Sequence, residues 1–428
     1  MAGERRRGEA TAKLGGGEFS ARVQRGEKLR PPGRRAEDHA ARLLRGEAWR
    51  DLCRALERTG ERLLEADNPR DERTLAEGFR YLLGLTTLGL REVVDLGDPE
   101  RPVFVHVQDP FVKWGAENAD NLYLQASVRG DRTYRIRGER GTSLDFLIEV
   151  KEGYMHLGDV RNFAVCSAPD LEIGSDGRFE ILASASPQTG NWLPLHPDAT
   201  QIVIRQYFYD WEAERPARFT IECLESAGVP APPVTAAQVG RTLDALGHFV
   251  ENTFRFWAEW MPEMRREHVA GRLQPALPFV GGADDIRYGN DVFTLAEDEA
   301  ILIETGLPDA RFWHFQLGSD WFVTLDYANA MNSLNGAQLA VDPDGRVRIV
   351  IAHADPGVPN WLDTGGRKSG MIQYRYVWTR DAPEPRIETL PFDAIGSRLP
   401  PTTPRVDPAT RRDQIAMRQR SIARRFTR

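Results

Sequence analysis

His353-Ala-Asp355 is the pair in this chain whose types and spacing best suit acid–base chemistry. It ends a stretch of β-branched alternation, Val347 to Ala352, and side chains two apart on an extended strand share a face. An imidazole titrates near neutral pH, and a carboxylate beside it would orient it as a general acid or base. The same residues admit a structural reading, in which Asp355 caps the Pro356-Gly357 turn and His353 is a satisfied, partly buried side chain. A His-x-Asp at a strand end also opens the two-histidine, one-carboxylate set of non-haem iron oxygenases. That use needs a second histidine; none follows His353, and His314 upstream would break the usual order. The metal-dependent oxygenase is therefore the minor alternative.

Upstream of His353, Tyr327 to Gln338 carries three asparagines and a serine. Tyr327, Asn332 and Asn335 would position the oxygens of a substrate, or would cap backbone groups. Asn360 and Trp361 would help wall the pocket, against a reading in which Asn bonds its own turn and Trp fills a core. Asn118, Asn121 and Tyr123, followed by Arg132, Tyr134, Arg135, Arg137 and Arg140, would hold an anion or form a solvated face. Arg205, Tyr207, Arg375 and Tyr376 are the weakest candidates.

One block of the chain occurs twice. Asp176 to Leu193 is answered by Asp344 to Leu362, with Asn-Trp-Leu at 191 and again at 360. Gln201 to Tyr209 likewise parallels Gly370 to Trp378. A repeat this long is a duplicated domain, since solenoid units run to about 20–50 residues. Ser184 and Ser186 of the first copy become His353 and Asp355 in the second, which suits one active site per chain.

The string from His353 to Gly365, with Ser333-Leu-Asn335 and Gln338, resembles bacterial proteins of the "domain of unknown function 1214" family. Gly130 to Gly138, Gly190 to Pro194 and Ala76 to Tyr81 carry the same resemblance, which covers most of residues 70–390. It implies a helical lead followed by β-sandwich or jelly-roll-like modules. It supplies no mechanism.

The chain has 428 residues, a net charge of −7 and three widely spaced cysteines. That length holds two or three domains. The charge argues against a nucleic-acid partner, and the cysteines fit reduced thiols in the cytoplasm. No apolar run is long enough to span a membrane. P-loop, GxGxxG, GxSxG and HExxH motifs are missing, so neither a nucleotide-dependent nor a standard hydrolase mechanism is supported.

Periodicity places a disordered basic leader at 1–35, a helical hairpin at 36–100 and a first β-rich domain at 101–229. Residues 230–290 form a connecting helix and linker, opened by a Thr235-x-x-Gln238 capping box. A second β-rich domain spans 291–399, and a Pro-rich linker and Arg-rich tail span 400–428. That tail is read as a helix docking on the body or on a second subunit. The expected fold is α+β: a helical hairpin, then two related antiparallel β-rich domains joined by a helix. The expected function is a soluble enzyme acting on a hydrophobic, oxygenated small molecule, with His353 and Asp355 catalytic and no cofactor. The alternative is a non-catalytic protein that binds a small molecule, lipid or glycan; a homo-oligomer is compatible with either.

Overall fold

In the structure, a computed structural model that describes residues 17–65, 68–280, 282–283 and 285–426, a helical layer covers one side of two β-sandwiches. Helices α1 (Glu18–Gln24), α2 (Ala36–Leu44), α3 (Glu47–Arg62) and α4 (Glu72–Val94) precede the first sandwich, and α5 (Ala236–Ala258) and α6 (Trp260–Glu267) follow it. Asp71 and Thr235 start α4 and α5 as side-chain N-caps, accepting from Thr74 N and Gln238 N. Helix α5 packs against α2, α3 and α4. Its stripe Leu246, Phe249, Val250 and Phe254 meets Leu52, Tyr81, Leu85 and Leu88. Each such side chain contributes about 1.5–3 kcal/mol by leaving water.

The first sandwich holds β1 (Asn121–Ser127), β2 (Tyr134–Glu139), β3 (Asp145–Lys151), β4 (Asn162–Ser167), β5 (Arg178–Ser184), β6 (Trp192–Pro194), β7 (Gln201–Tyr207) and β8 (Arg218–Cys223). The second holds β9 (Ile286–Thr294), β10 (Glu299–Gly306), β11 (Ala310–Gly318), β12 (Ser333–Asn335), β13 (Arg346–Ala352), β14 (Trp361–Asp363), β15 (Ser369–Thr379) and β16 (Arg386–Pro391). Sheet orders are β1-β7-β3-β4 and β6-β5-β2-β8 in the first, β9-β15-β11-β12 and β14-β13-β10-β16 in the second. Strand for strand the two are the same, so the repeat read from Asn-Trp-Leu is a duplicated sandwich. The triplet has one job in both copies. Asn191 bridges the carbonyls of Glu172 and Glu180, and Asn360 those of Ala340 and Arg348. The indoles of Trp192 and Trp361 donate to the carbonyls of Ser184 and Ala352.

The sandwiches meet through equivalent sheets. Strand β3 is buried along its whole length. Phe146, Ile148 and Val150 fill the first core, while the opposite face of that sheet packs on the second sandwich through Leu147, Tyr207, Ile286, Phe312 and Val377. Asp120 ties the joint. Its Oδ1 accepts from the Trp211 indole and the Asn335 amide, both at 2.7 Å, and His314 Nδ1 lies 3.0 Å from its Oδ2. Burial works to raise its pKa, but His314 and the neighbouring donors hold the carboxyl below the usual range.

After the short α7 (Ile395–Arg398), α8 (Pro408–Arg425) closes the chain across both sandwiches. Arg411, Arg418 and Arg425 recur every seventh residue on its buried face. Arg411 pairs with Asp355 at 2.9 Å. Arg418 donates to the Tyr327 carbonyl and to the hydroxyl and carbonyl of Ser333. Arg425 donates to the Ala119 carbonyl and lies over the Phe208 and Trp211 rings.

Several expectations need correction. The leader expected at 1–35 is structured from residue 17 on, because Val23 and Ser20 are buried and Ser20 Oγ donates to the Phe256 carbonyl; residues 1–16 lie outside the described residues. The helical hairpin expected at 36–100 is three helices, because its first arm is broken into α2 and α3 where Gly46 takes φ 69°. Phe79, Leu83 and Leu90 of α4 are exposed, since the buried face carries Tyr81, Leu85 and Leu88 instead. Val103–Val107 makes only an isolated bridge at Val105. The stretch read as linker up to residue 290 contains β9, whose Gly289 is no turn: a Cβ there would lie 2.2 Å from the Tyr374 ring. Among the described residues no helix is long and apolar enough to cross a membrane.

Arg418→Met is expected to lower stability by about 2–4 kcal/mol, because three buried acceptors lose a charged donor. Urea unfolding monitored by tryptophan fluorescence measures it, and an unshifted midpoint would show that α8 does not hold the sandwiches together.

Candidate functional site

Between the two sandwiches, under α5 and α6, lies a cavity of about 160 Å³. An apolar cavity of about 150 Å³ admits benzene, so this one suits a molecule built on a single ring. Its walls are the edge strand and its neighbour in each of the two facing sheets. Tyr123 and Gln125 come from β1, Val203, Arg205 and Tyr207 from β7, Tyr288 and Asn290 from β9, and Gln373 and Arg375 from β15. Trp114, Trp257, Trp260, Phe279 and Phe322 supply the apolar wall, and the turn Tyr154-Met155-His156 closes one end.

The sheet registers reveal a repeated motif. Tyr123 pairs across with Arg205, and Tyr288 pairs across with Arg375 in the equivalent strands. Matching the repeats on Asn-Trp-Leu alone sets Arg205 against Tyr374, one residue out of step with this register. The two Tyr–Arg pairs face the same space: Arg205 Nη1 lies 3.4 Å from the Tyr288 hydroxyl, and the Arg375 guanidinium lies over the Tyr288 ring at 5.4 Å.

The pairs differ in counter-charge. Arg205 lies 2.8 Å from Glu149, which sits opposite Val203 on β3. The position equivalent to Glu149, opposite Gln373 on β11, is Gln316, which is neutral. Arg375, 6% exposed, gives one hydrogen bond, from Nη2 to the Ala116 carbonyl at 2.5 Å. Its Nε and Nη1 are buried without a partner, and no carboxylate lies within 4.0 Å of it among the described residues. The adjacent Glu117 pairs with Lys113 at 3.6 Å. Burial lowers the Lys151 pKa, with Glu149 opposing. The cavity is thus aromatic and cationic, and a desolvated cation without a counter-ion is costly unless an anion joins it.

At the other end, Tyr154 donates to Glu92 of α4 and lies 2.9 Å from Gln125 Oε1. Burial pushes the Glu92 carboxyl up to about 8, against the pull of those hydrogen bonds. His156 is 0% exposed, and burial pushes its pKa down to about 3, so it is neutral.

The residues expected to form the site are not gathered here. His353 bonds Thr364 Oγ1 at 2.7 Å through Nδ1 and faces the Leu295 carbonyl through Nε2. Asp355 caps Gly357 N and pairs with Arg411. The two therefore do not bond one another, because each is engaged by a different element. Asn335 is saturated by Asp120, the Phe208 and Tyr209 carbonyls, and the amides of Ala337 and Gln338. Tyr327 is buried beneath Lys113 Nζ, and Asn332 is buried with Oδ1 unpartnered; neither lines the cavity, nor do Asn360 and Trp361. Arg135 and Arg137 pair with Glu180 and Glu222, and Arg132 with Glu100. Asn118, Asn121, Tyr123, Arg205, Tyr207 and Arg375 do reach the cavity, whereas Tyr376 sits in the second core. Among the described residues no three His, Cys, Asp or Glu side chains cluster to hold a metal. His156 escaped the sequence reading; its one signal was a polar residue bracketed by Gly153 and Gly158.

Comparison with known proteins gives a family and a fold. The family model described as "Protein of unknown function (DUF1214)" matches residues 124–209 and 292–380, one stretch in each sandwich. The crystal structure of an uncharacterized protein from Burkholderia cenocepacia is 36% identical, with a TM-score of 0.79, covering 83% of this chain and 99% of that one. The VPA0106 protein from Vibrio parahaemolyticus is 12% identical with a TM-score of 0.43, covering 72% of this chain and 98% of that one. No curated protein matches.

The Glu92 carboxyl sets a pH test. Its folded pKa is above the unfolded value, so its contribution to stability is full below about pH 4.5 and is lost as pH rises through about 8. Glu92→Gln is therefore expected to gain on the parent by about 1 kcal/mol per pH unit across that window. Chemical denaturation at pH 5, 6.5 and 8 measures the gain; parallel pH profiles would mean that Glu92 ionises normally.

Proposed function

Because the chain belongs to the DUF1214 family of proteins of unknown function, a membership that carries a fold but no reaction, we propose a function from its own geometry: it binds a small organic anion with a flat apolar body in the cavity between the sandwiches. One observation carries this reading, the buried guanidinium of Arg375, left without a carboxylate where the first copy gives Arg205 its Glu149. A carboxylate suits it, since guanidinium donors match two acceptor oxygens in one plane. Tyr288 and Tyr207 flank the anion, and Trp257, Trp260 and Phe322 stack on the body. The reading moves the ligand away from His353 and Asp355, whose bonds hold a turn and the last helix.

An acid–base enzyme acting in the same cavity is favoured by a separate observation, the raised Glu92 carboxyl bonded to Tyr154 on the cavity wall. In that form Tyr154 is the group that touches the bound molecule and Glu92 supplies or takes its proton. The three cysteines are free thiols, which supports a reducing, cytoplasmic compartment.

Titration calorimetry with benzoate and phenylacetate tests the binding reading. Saturable one-to-one binding is expected. Arg375→Met should weaken it by about 1.5–3 kcal/mol, the worth of hydrogen bonds to a charged group, and should not lower the stability of the free protein, because it removes an uncompensated buried cation. Gln316→Glu, which copies the arrangement of the first sandwich, should abolish binding by giving Arg375 its own carboxylate. Absence of binding in the parent, or full binding by Arg375→Met, would overturn the reading.

A further inference from the structure

His156 lines the same cavity as the two arginines. A wall of rings runs between them: Tyr288 to Phe279 at 5.4 Å, Phe279 to Trp260 at 5.7 Å, Trp260 to Trp257 at 5.1 Å and Trp257 to His156 at 6.2 Å. The imidazole is boxed by Trp114, Tyr154, Phe249, Phe256 and Trp257, at 4.8–6.2 Å. Neither ring nitrogen has a hydrogen-bond partner among the described residues, and both are buried. The Trp257 indole N–H beside it is likewise buried and unpartnered.

Buried polar atoms left unpaired cost about 1–3 kcal/mol each, and this turn is built to keep them where they are. The Leu157 carbonyl accepts from Leu29 N at 2.9 Å. Lys28 and Arg30 pair with Glu152 and Asp159 on either side of the turn. At Gly158, φ is 86° and a Cβ would meet the Glu27 carbonyl at 2.1 Å. The segment 27–30 thus clamps the turn, and His156 has no room to swing out to water.

We propose that His156 is the specificity-determining residue of this cavity, and that the ligand is a hydroxylated ring carboxylate whose hydroxyl bonds the imidazole while its carboxylate meets Arg375. A neutral imidazole offers one N–H and one lone pair. A hydroxyl, donor and acceptor at once, pairs one ring nitrogen whichever tautomer is present and can also accept from the Trp257 N–H. The box holds no charged group, so a second anion or an ammonium at this end is disfavoured by desolvation. Sites that hydrogen-bond a ligand hydroxyl discriminate strongly against the analogue that lacks it, because their buried polar groups are then unpaired.

The inference rests on the anion reading of the cavity, and the probes separate the two. Benzoate, 3-hydroxybenzoate and 4-hydroxybenzoate are titrated by calorimetry into the full-length protein and into His156→Phe and His156→Gln. At least one hydroxybenzoate should bind the parent tenfold or more tighter than benzoate. His156→Phe should erase that preference while holding benzoate within about threefold, and His156→Gln, which keeps a donor and an acceptor, should restore much of it. Equal affinities for all three probes in the parent, or a preference that survives in His156→Phe, would overturn the role of His156 and leave the anion reading intact. If no probe binds the parent, the cavity reading falls and this inference with it. Should His156→Phe not fold, the ratio in the parent and in His156→Gln decides.

Discussion

The molecule depends on burying one sheet face against another, each carrying polar side chains among its apolar ones. Two sandwiches joined by greasy faces would need only shape; joined by polar faces, they need a partner for nearly every donor and acceptor. Asp120 shows how strictly this is met. It lies just before β1, yet its carboxylate takes the Trp211 indole from one sandwich and the Asn335 amide and His314 from the other. Such a knot fixes the angle of the two halves, and with it the width of the cavity. Helix α8 adds a second tie, its three arginines reaching carbonyls and rings on both sides.

Unpartnered buried polar atoms occur in several places among the described residues, and one group of them surrounds the cavity. Most buried groups of the joint are paired, but Arg375, Asn118, Asn121, Tyr207, His156 and Trp257 keep unpartnered atoms, and all six line the cavity. Orphans gathered around a ring-sized space signify a site, because a fold tolerates that cost where function requires it.

The sequence disclosed the duplication because Asn191-Trp192 and Asn360-Trp361 perform a backbone task that any copy of this sandwich needs. It disclosed α5 through its Thr235 cap and α4 through apolar residues at helical spacing. It did not disclose the cavity, for two physical reasons. Arg205 on β7 and Arg375 on β15 ranked as the weakest candidates, since a strand's period says which residues share a face and nothing about what covers it. Strand β9 was lost because Gly289 imitates a turn, when its missing Cβ makes room for Tyr374. The serine-to-histidine difference at 353 drew the eye because it changes chemistry by residue type. The glutamate-to-glutamine difference between Glu149 and Gln316 matters more, and only the strand registers align those positions.

That last difference explains how a symmetric joint acquires an asymmetric site. Duplication places two Tyr–Arg pairs face to face, and two buried guanidiniums in one cavity repel unless each is neutralised. With a glutamate behind both, the joint would be electrically closed and inert; with a glutamine behind both, two bare cations would strain the joint. One glutamate leaves Arg375 without the counter-charge that Arg205 has, and with it a place for one anion and a defined direction for it to lie. Covering by α5 and α6 then supplies rings to one side of that space, and the turn at His156 closes one end. The direction proposed for the bound molecule thereby rests on a carboxylate that the second copy does not have.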